Sequence, residues 1–513
     1  MANSTHHISQ SNLDEQDPTS PDQFPPPAPL NEIIERSLGD FRPAQFIQAI
    51  LISLPLLFDG QQTFISVYTD AEPTWHCSTN YSTCNSISNV CKLSKTAWAW
   101  DGHVDKTIIS EWGLECESSI ITGLPASSYF MGCLIGGFVL ATLGDTSLGR
   151  KNLIFLSCFG MSVTGLITIF STNIWIYSSL RFVCGFFRAS IITCALVLLT
   201  EMVGKQWRGR VGIVWFFCFT LGLLSLPIIA YVNRDSSWRT LYLWTYIPAI
   251  LYCIIVYFFV IESPRWLSMQ GLDVEAVAVL KRLGTLVNEF NSNVLFKQDT
   301  SKASLYSSMK TLFKSRWAFR RVLAGMALGF GIGLVYFGML LGVGNLGYNT
   351  YLSVAFNGLL DIPSYFLTFY LIERWNRKTS MLVFSIVSGL CSMLLVVVDG
   401  RKGVEIGLEL ASLFNVCMAF NVILIYTTEL FPTSVRSSAT SIVRQAIVFG
   451  AALSPLLISV GRKHKFLSYG VFGLVIMCSG FFVVFLPETR GVTLSDTMDE
   501  QECNDSKISV VGE

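Results

Sequence analysis

The chain has 513 residues, 51% of them apolar and only 14% charged, with 36 Lys and Arg against 36 Asp and Glu. Soluble domains carry about 25% charged residues, so a soluble fold of this length lacks the polar surface it needs, and disorder, collagen and coiled coil are excluded with it. A formal net charge of zero provides no field to draw the chain to nucleic acid, and a polytopic membrane protein is the class that fits.

Residues 1–43 are polar and Pro-rich, with Pro25, Pro26, Pro27 and Pro29. No apolar core of a signal peptide precedes them. A disordered cytosolic tail is expected, with an amphipathic piece around Leu30 to Leu38. Apolar runs long enough to cross about 30 Å of hydrocarbon as helices then recur twelve times, at roughly 44–68, 120–143, 152–172, 174–199, 211–232, 239–261, 321–343, 351–372, 379–398, 405–428, 440–461 and 467–487. They are called spans 1 to 12. Two long polar stretches interrupt them, at 69–118 and 268–320, and the second divides the spans into two sets of six. The expected organisation is a tail (1–43), a six-helix half (44–267), a linker (268–320), a second half (321–490) and a tail (491–513).

Between spans 1 and 2, Cys77, Cys84, Cys91 and Cys116 share one polar loop. An even cluster of this kind reads as two disulfides in any of three connectivities and places the loop on an oxidising side. No CxxC pair is present, which argues against zinc. Asn80-Tyr81-Ser82 is a glycosylation sequon in the same loop. Ten Lys and Arg lie within 265–321, and such an excess marks the cytosolic side. Arg150, Lys151, Lys205, Arg208, Arg210, Arg374, Arg377 and Lys378 then fall on that side, as do both termini. Arg462, Lys463 and Lys465 run against this assignment.

Charged patterns recur at a nearly fixed offset. Asp145, with Arg150 after it, follows span 2, and Glu373, with Arg377 after it, follows span 8; the acids are 228 positions apart. Glu201 and Arg208 at the end of span 4 are answered by Glu429 and Arg436 at the end of span 10, again 228 apart. Glu262 and Arg265 end span 6, and Glu488 and Arg490 end span 12. Positive-inside bias explains the arginines but neither the acids nor the offset. A duplicated six-helix unit explains all of them and places a substrate site near the midplane between the halves.

Within the spans, ionisable groups are costly unless they meet a partner or water. Asp59 in span 1 reads as a counter-ion for a substrate ammonium, as a proton carrier, or as the partner of Arg188 or Arg444. Asp361, two residues before Pro363 in span 8, reads as a site or gate residue, or as support for a kinked helix. Arg181 and Arg188 share a face of span 4; Arg188 suits a carboxylate, Arg181 a structural contact, and Arg444 in span 11 either role. Gln62 and Asn421 join this substrate-facing set. Aromatic faces attract quaternary ammonium groups, and Trp215, Phe216, Tyr246, Tyr336 and Tyr426 are the candidates. Asp145, Glu201 and Glu262 with Arg150, Arg208 and Arg265, and Glu373, Glu429 and Glu488 with Arg377, Arg436 and Arg490, are expected to form inter-helix salt bridges that close an inner gate. Gly204-Lys205 lacks the first Gly and the Ser of a phosphate-binding loop. No catalytic or metal constellation stands out, so neither an enzyme nor a cofactor is expected.

The sequence resembles the major facilitator superfamily, and within it the organic cation/carnitine transporter family. The resemblance rests on the cysteine-bearing loop, on Glu262-Ser263-Pro264-Arg265-Trp266-Leu267, on Tyr426 to Thr433 with Arg436, and on Pro487-Glu488-Thr489-Arg490-Gly491. The Asp59 to Phe64 stretch and Trp238-Arg239 look like the plant members. The first cytosolic motif departs from the family pattern, since Asp145-Thr146-Ser147-Leu148-Gly149-Arg150 lacks an Arg and has one residue more. In span 11, Val448 stands where animal cation-handling members place an acid, and Arg444 lies one turn earlier. The resemblance implies a major facilitator fold of twelve transmembrane helices. It also implies secondary-active, alternating-access transport of a small organic cation or zwitterion, in the vacuolar or plasma membrane, with lipid and protons as further partners. A sugar or anion porter, or a non-transporting sensor, is the alternative on the same fold.

Overall fold

The computed structural model describes residues 30–78, 84, 90–140, 148–283, 305–343, 349–398, 401–432, 434–462, 466–490 and 497–502. Among them, eleven helices are long and apolar enough to cross a membrane: Pro43–Thr69, Ser119–Leu140, Arg150–Thr168, Ile174–Glu201, Lys205–Val232, Trp238–Phe259, Arg316–Leu341, Arg377–Val397, Lys402–Glu429, Arg436–Gly461 and Phe466–Phe485. The remaining span, the eighth, is Thr350–Arg374. Its lower apolarity has a visible cause. Asn357, Asp361, Ser364 and Thr368 recur at helical spacing and all four are buried, so one face of span 8 is polar and turned into the protein.

Local signals set several helix starts. Asn173 accepts hydrogen bonds from the N–H groups of Trp175 and Ile176 to cap span 4, and Asn349 does the same for span 8 with Tyr351 and Leu352. Each such cap contributes about 1 kcal/mol. Small residues then let backbones touch. In span 2, a Cβ added at Gly132 or Gly136 would lie 2.0 or 2.2 Å from the carbonyl oxygens of Phe182 and Phe186 in span 4. No side chain fits there, so spans 2 and 4 meet backbone to backbone.

The stretch between spans 1 and 2 forms a small ordered cap, and the side of the molecule that carries it is here the disulfide face. Strands β1 (Trp75–Cys77) and β2 (Trp98–Trp100) pair antiparallel, with Trp75 opposite Trp100. Cys77 bonds Cys84, and Cys91 bonds Cys116, which selects one of the three connectivities. A short helix, Ile108–Trp112, carries Glu111, whose carboxylate accepts from Trp238 Nε1 and Arg239 Nη1, both at 2.6 Å. The cap is thereby docked on the start of span 6. Asn80 lies outside the described residues.

The halves meet where span 2 packs on span 11 and span 5 on span 8. Toward the disulfide face they are joined by aromatic pairs: Phe64–Phe337 at 6.2 Å, Phe130–Phe337 at 5.0 Å and Tyr68–Tyr351 at 5.5 Å between centroids. Arg462 donates to the Asp70 carbonyl at 3.1 Å across the same seam. The arginine that ran against the charge bias thus has a structural task.

The opposite side, where the connection between spans 6 and 7 lies, is the linker face. The helix Leu30–Ser37 packs here, with Ile34 and Leu38 1% exposed. It extends the amphipathic piece read from sequence into a docked element.

Candidate functional site

Two buried polar clusters lie within the spans. In the first, Arg188 grips Asp59 with both arms of its guanidinium, Nε to Oδ1 at 2.5 Å and Nη2 to Oδ2 at 2.9 Å. Asp59 is fully buried, and of the three roles open to it the structure displays the arginine partnership. Arg188 Nη1 also reaches Cys133 Sγ at 3.5 Å. Beside the pair, a small pocket is lined by Cys133, Arg188, Ala189, Ile192, Arg444, Gln445 and Val448. Val448 and Arg444 line one pocket together, as residues one turn apart should. Two guanidinium groups face one carboxylate in this cluster, and among the described residues no carboxylate lies within ion-pair distance of Arg444.

The second cluster is the polar face of span 8. Asp361, 1% exposed, accepts from Cys417 Sγ at 3.1 Å and from Tyr336 OH at 3.4 Å. Its own carbonyl accepts from Ser364 Oγ at 2.7 Å. Asn421 in span 10 extends the cluster, donating to Ser364 Oγ at 3.3 Å and Thr368 Oγ1 at 3.4 Å. Tyr336 stacks on Phe420 at 4.7 Å, and Tyr365 meets Phe216 of the other half at 4.8 Å. Among the described residues no cation pairs with Asp361. A burial this complete is costly for an unpaired carboxylate, so Asp361 is poised to accept a positive charge or a proton.

Other candidates sit apart from these clusters. Arg181 is buried under the Tyr129 ring at 4.3 Å and donates to the Gln62 carbonyl at 3.3 Å, in keeping with a structural contact. Gln62 is fully buried, and among the described residues its side-chain amide meets no hydrogen-bond partner. Trp215 packs edge-on against Phe216 at 4.7 Å. Tyr246 lies inside the first half, 3.3 Å from Cys184 Sγ. Tyr426 donates its hydroxyl to the Pro487 carbonyl at 2.6 Å, which ties it to the linker-face network.

That network has the same design in both halves. Arg150 Nη2 lies 3.8 Å from Glu201, while Glu262 accepts the backbone N–H groups of Arg150 and Lys151 at 3.2 and 3.0 Å. In the second half, Arg377 holds Glu429 through Nε and Nη2, both at 3.2 Å. Glu488 there accepts the N–H groups of Arg377 and Lys378 at 2.9 and 3.1 Å. Each carboxylate thus caps the positive end of a helix. Burial pushes Glu262 above the usual carboxylate range, and the N–H groups of Ser263, Lys151 and Arg150 only partly offset it.

Arg208 and Arg265 depart from expectation. Both donate to Glu35 of the N-terminal helix, instead of to Glu201 or Glu262. Lys205 N–H donates to the other Glu35 oxygen at 2.8 Å, and Gly204 N–H to Leu38 O at 3.2 Å. Burial alone would raise the Glu35 carboxyl, but the Lys205 N–H and the two guanidiniums outweigh it and hold it below its ordinary value. Arg436 donates to the Phe431 carbonyl at 3.2 Å, because no acid comparable to Glu35 reaches it among the described residues. Asp145 lies outside the described residues, as does the side chain of Glu373.

Twelve spans in two matching halves, with buried charges between them and paired charges at one end, define a multi-pass membrane transporter. The profile of the family described as "Sugar (and other) transporter" matches residues 62–500. "Organic cation/carnitine transporter 2" of Arabidopsis thaliana is 51% identical over 94% of this chain and 96% of its own length. "Organic cation/carnitine transporter 3" of the same plant is 51% identical over 94% and 95%. "Organic cation/carnitine transporter 2" of Homo sapiens is 31% identical over 77% and 71%. The inward-open xylose transporter XylE from E. coli shares the fold, with a TM-score of 0.63, 17% identity, and 88% of this chain and 98% of its own covered. The chain belongs to the organic cation/carnitine transporters of the major facilitator superfamily.

Proposed function

We propose that the protein carries small organic cations or zwitterions of the carnitine type by alternating access. The observation that carries this reading is Asp361: a buried acid without a cation, beside Tyr336, Phe420 and Tyr365. A quaternary ammonium group gains from the carboxylate and from aromatic faces alike. Arg444 offers the complementary charge, since the Asp59–Arg188 pair leaves one guanidinium in excess. An ammonium toward Asp361 and a carboxylate toward Arg444 describe a zwitterion. The relatives' printed names support the same substrate class.

Alternating access is supported by two matched halves sealed by aromatic pairs at the disulfide face. Protons are the coupling ion in this reading, because protonation of Asp59 would release Arg188. The basic excess toward the linker face and the four cysteines on the other side argue for cytosolic termini. Resemblance to plant members favours the vacuolar over the plasma membrane. Membrane lipid surrounds the spans, and Asn80 carries the glycan. The test is uptake of labelled carnitine, choline and polyamines into vesicles holding purified protein, with and without an imposed pH gradient. Saturable uptake of at least one of them, with carnitine competing, is expected. Uptake of xylose in place of all three would overturn the reading.

A further inference from the structure

Glu409 lies in span 10, 228 positions after Arg181 in span 4, and so at the matching place of the second half. It is 3% exposed, and its Oε1 has no hydrogen-bond partner. Among the described residues no cation lies within ion-pair distance of it. Its surroundings follow from Ser412, one turn further on the same face. Ser412 meets the hydroxyls of Ser388 and Ser392 in span 9 at 3.0 and 2.8 Å and donates to the Ser388 carbonyl at 2.9 Å. The Glu409 carboxyl therefore sits along the seam of spans 9 and 10, between that serine cluster and the disulfide face. On its own helix Glu405 lies one turn away and Lys402 two turns away on the same face, and Cys391 is the titratable residue in the body of span 9. Tyr336, Asp361 and Tyr365 of spans 7 and 8 gather around Cys417, about two turns further along. Arg444 of span 11 lies with Arg188.

We propose that Glu409 is a proton-binding site. A carboxylate buried this deeply without a cation is costly in such a seam, whereas a carboxylic acid is not. In the state described here the group is COOH. It becomes COO⁻ when the disulfide-face end of span 10 parts from span 9, and the proton leaves to water. Span 10 also carries Cys417 against Asp361 and Phe420 against Tyr336. Moving this helix therefore moves the substrate cluster, and the proton on Glu409 is linked to substrate occupancy.

This inference rests on the transport reading, yet one measurement decides it independently. Infrared spectra of purified protein in lipid at neutral pH should contain a protonated-carboxyl C=O band that Glu409→Gln and Glu409→Met both lack. Asp361→Asn should retain it. In vesicles, Glu409→Gln should bind carnitine within about threefold of the unmodified chain, showing that it folds. Stimulation of its uptake by acid on the disulfide side should fall at least tenfold. Persistence of the band in both Glu409 variants, or an unchanged acid response in Glu409→Gln, would overturn the proposal. Should neither variant fold, a missing band in the unmodified chain at neutral pH overturns it, and a band that persists in Asp361→Asn and vanishes in alkali upholds it. Loss of carnitine binding in Asp361→Asn tests the transport site alone and leaves the infrared result standing.

Discussion

Glu262 and Glu488 perform the same act in the two halves: each accepts two successive backbone N–H groups at the start of a helix, those of Arg150 and Lys151 in one case and of Arg377 and Lys378 in the other. Glu201 and Glu429 then hold the side chains of the same two arginines. The duplication is visible here as repeated hydrogen bonding, beyond repeated sequence. Replacing Glu201 or Glu429 by Gln should slow turnover while leaving equilibrium substrate binding within a few-fold. Collapse of binding with normal turnover per bound substrate would refute the gate assignment. Glu262→Gln and Glu488→Gln should each lower stability by about 1–3 kcal/mol, the scale of a weakened charge-assisted hydrogen bond, read as thermal unfolding in detergent.

Asp361→Asn should weaken binding of a cationic substrate by roughly 2–3 kcal/mol, the scale of one charge-assisted contact. A neutral isostere of the same substrate should lose much less. Equal losses for both would assign Asp361 to support of its proline-containing helix. Arg444→Gln provides the complement, since it should impair a zwitterion more than choline.

Asp59→Asn strands the Arg188 guanidinium in a buried site. Breaking one partner of such a pair costs about 3–5 kcal/mol, so poor expression and early unfolding are expected. Asp59→Asn with Arg188→Gln should recover most of the loss. A stable Asp59→Asn protein with unchanged pH response would show that the pair neither holds the fold nor carries a proton.

The Glu35 contact has a defined pH dependence. Its carboxyl is held below the ordinary value by its partners, so its contribution is complete above the free Glu pKa of about 4.3 and is lost as pH falls through the depressed one. Protease cleavage near Arg36 should be slow at neutral pH and accelerate only in acid. Glu35→Gln should bring acid-like cleavage to neutral pH, and equal cleavage of both proteins at every pH would sink this account.

The fold was legible because each span is a long apolar run and because acids recur 228 residues apart. Asp59 and Arg188 were legible as a candidate pair, since any charge inside a span is expensive. Other points lay beyond sequence pattern. Helical spacing tells which residues share a face but not which helix covers it, so the bond from the Tyr426 hydroxyl to Pro487 had no signal in the sequence. Nothing in the order of the four cysteines selected Cys77–Cys84. Glu35, a single acid in a polar tail, carried no signal of its own; only the amphipathic run around it did. Glu405 and Glu409 do carry one, as two acids within the tenth apolar run.

The disulfide cap has a practical side. Among the described residues, Trp238 and Arg239 through Glu111 and Tyr177 through Trp112 fasten it to the first half, while Arg462 of the second half donates to Asp70, where span 1 gives way to the cap. In the proposed alternating-access cycle the cap then travels with the first half as a passenger. An antibody raised against the Trp75–Trp100 hairpin would ride through the whole cycle without jamming it. A spectroscopic label there, paired with one on the second half, would measure the rocking itself.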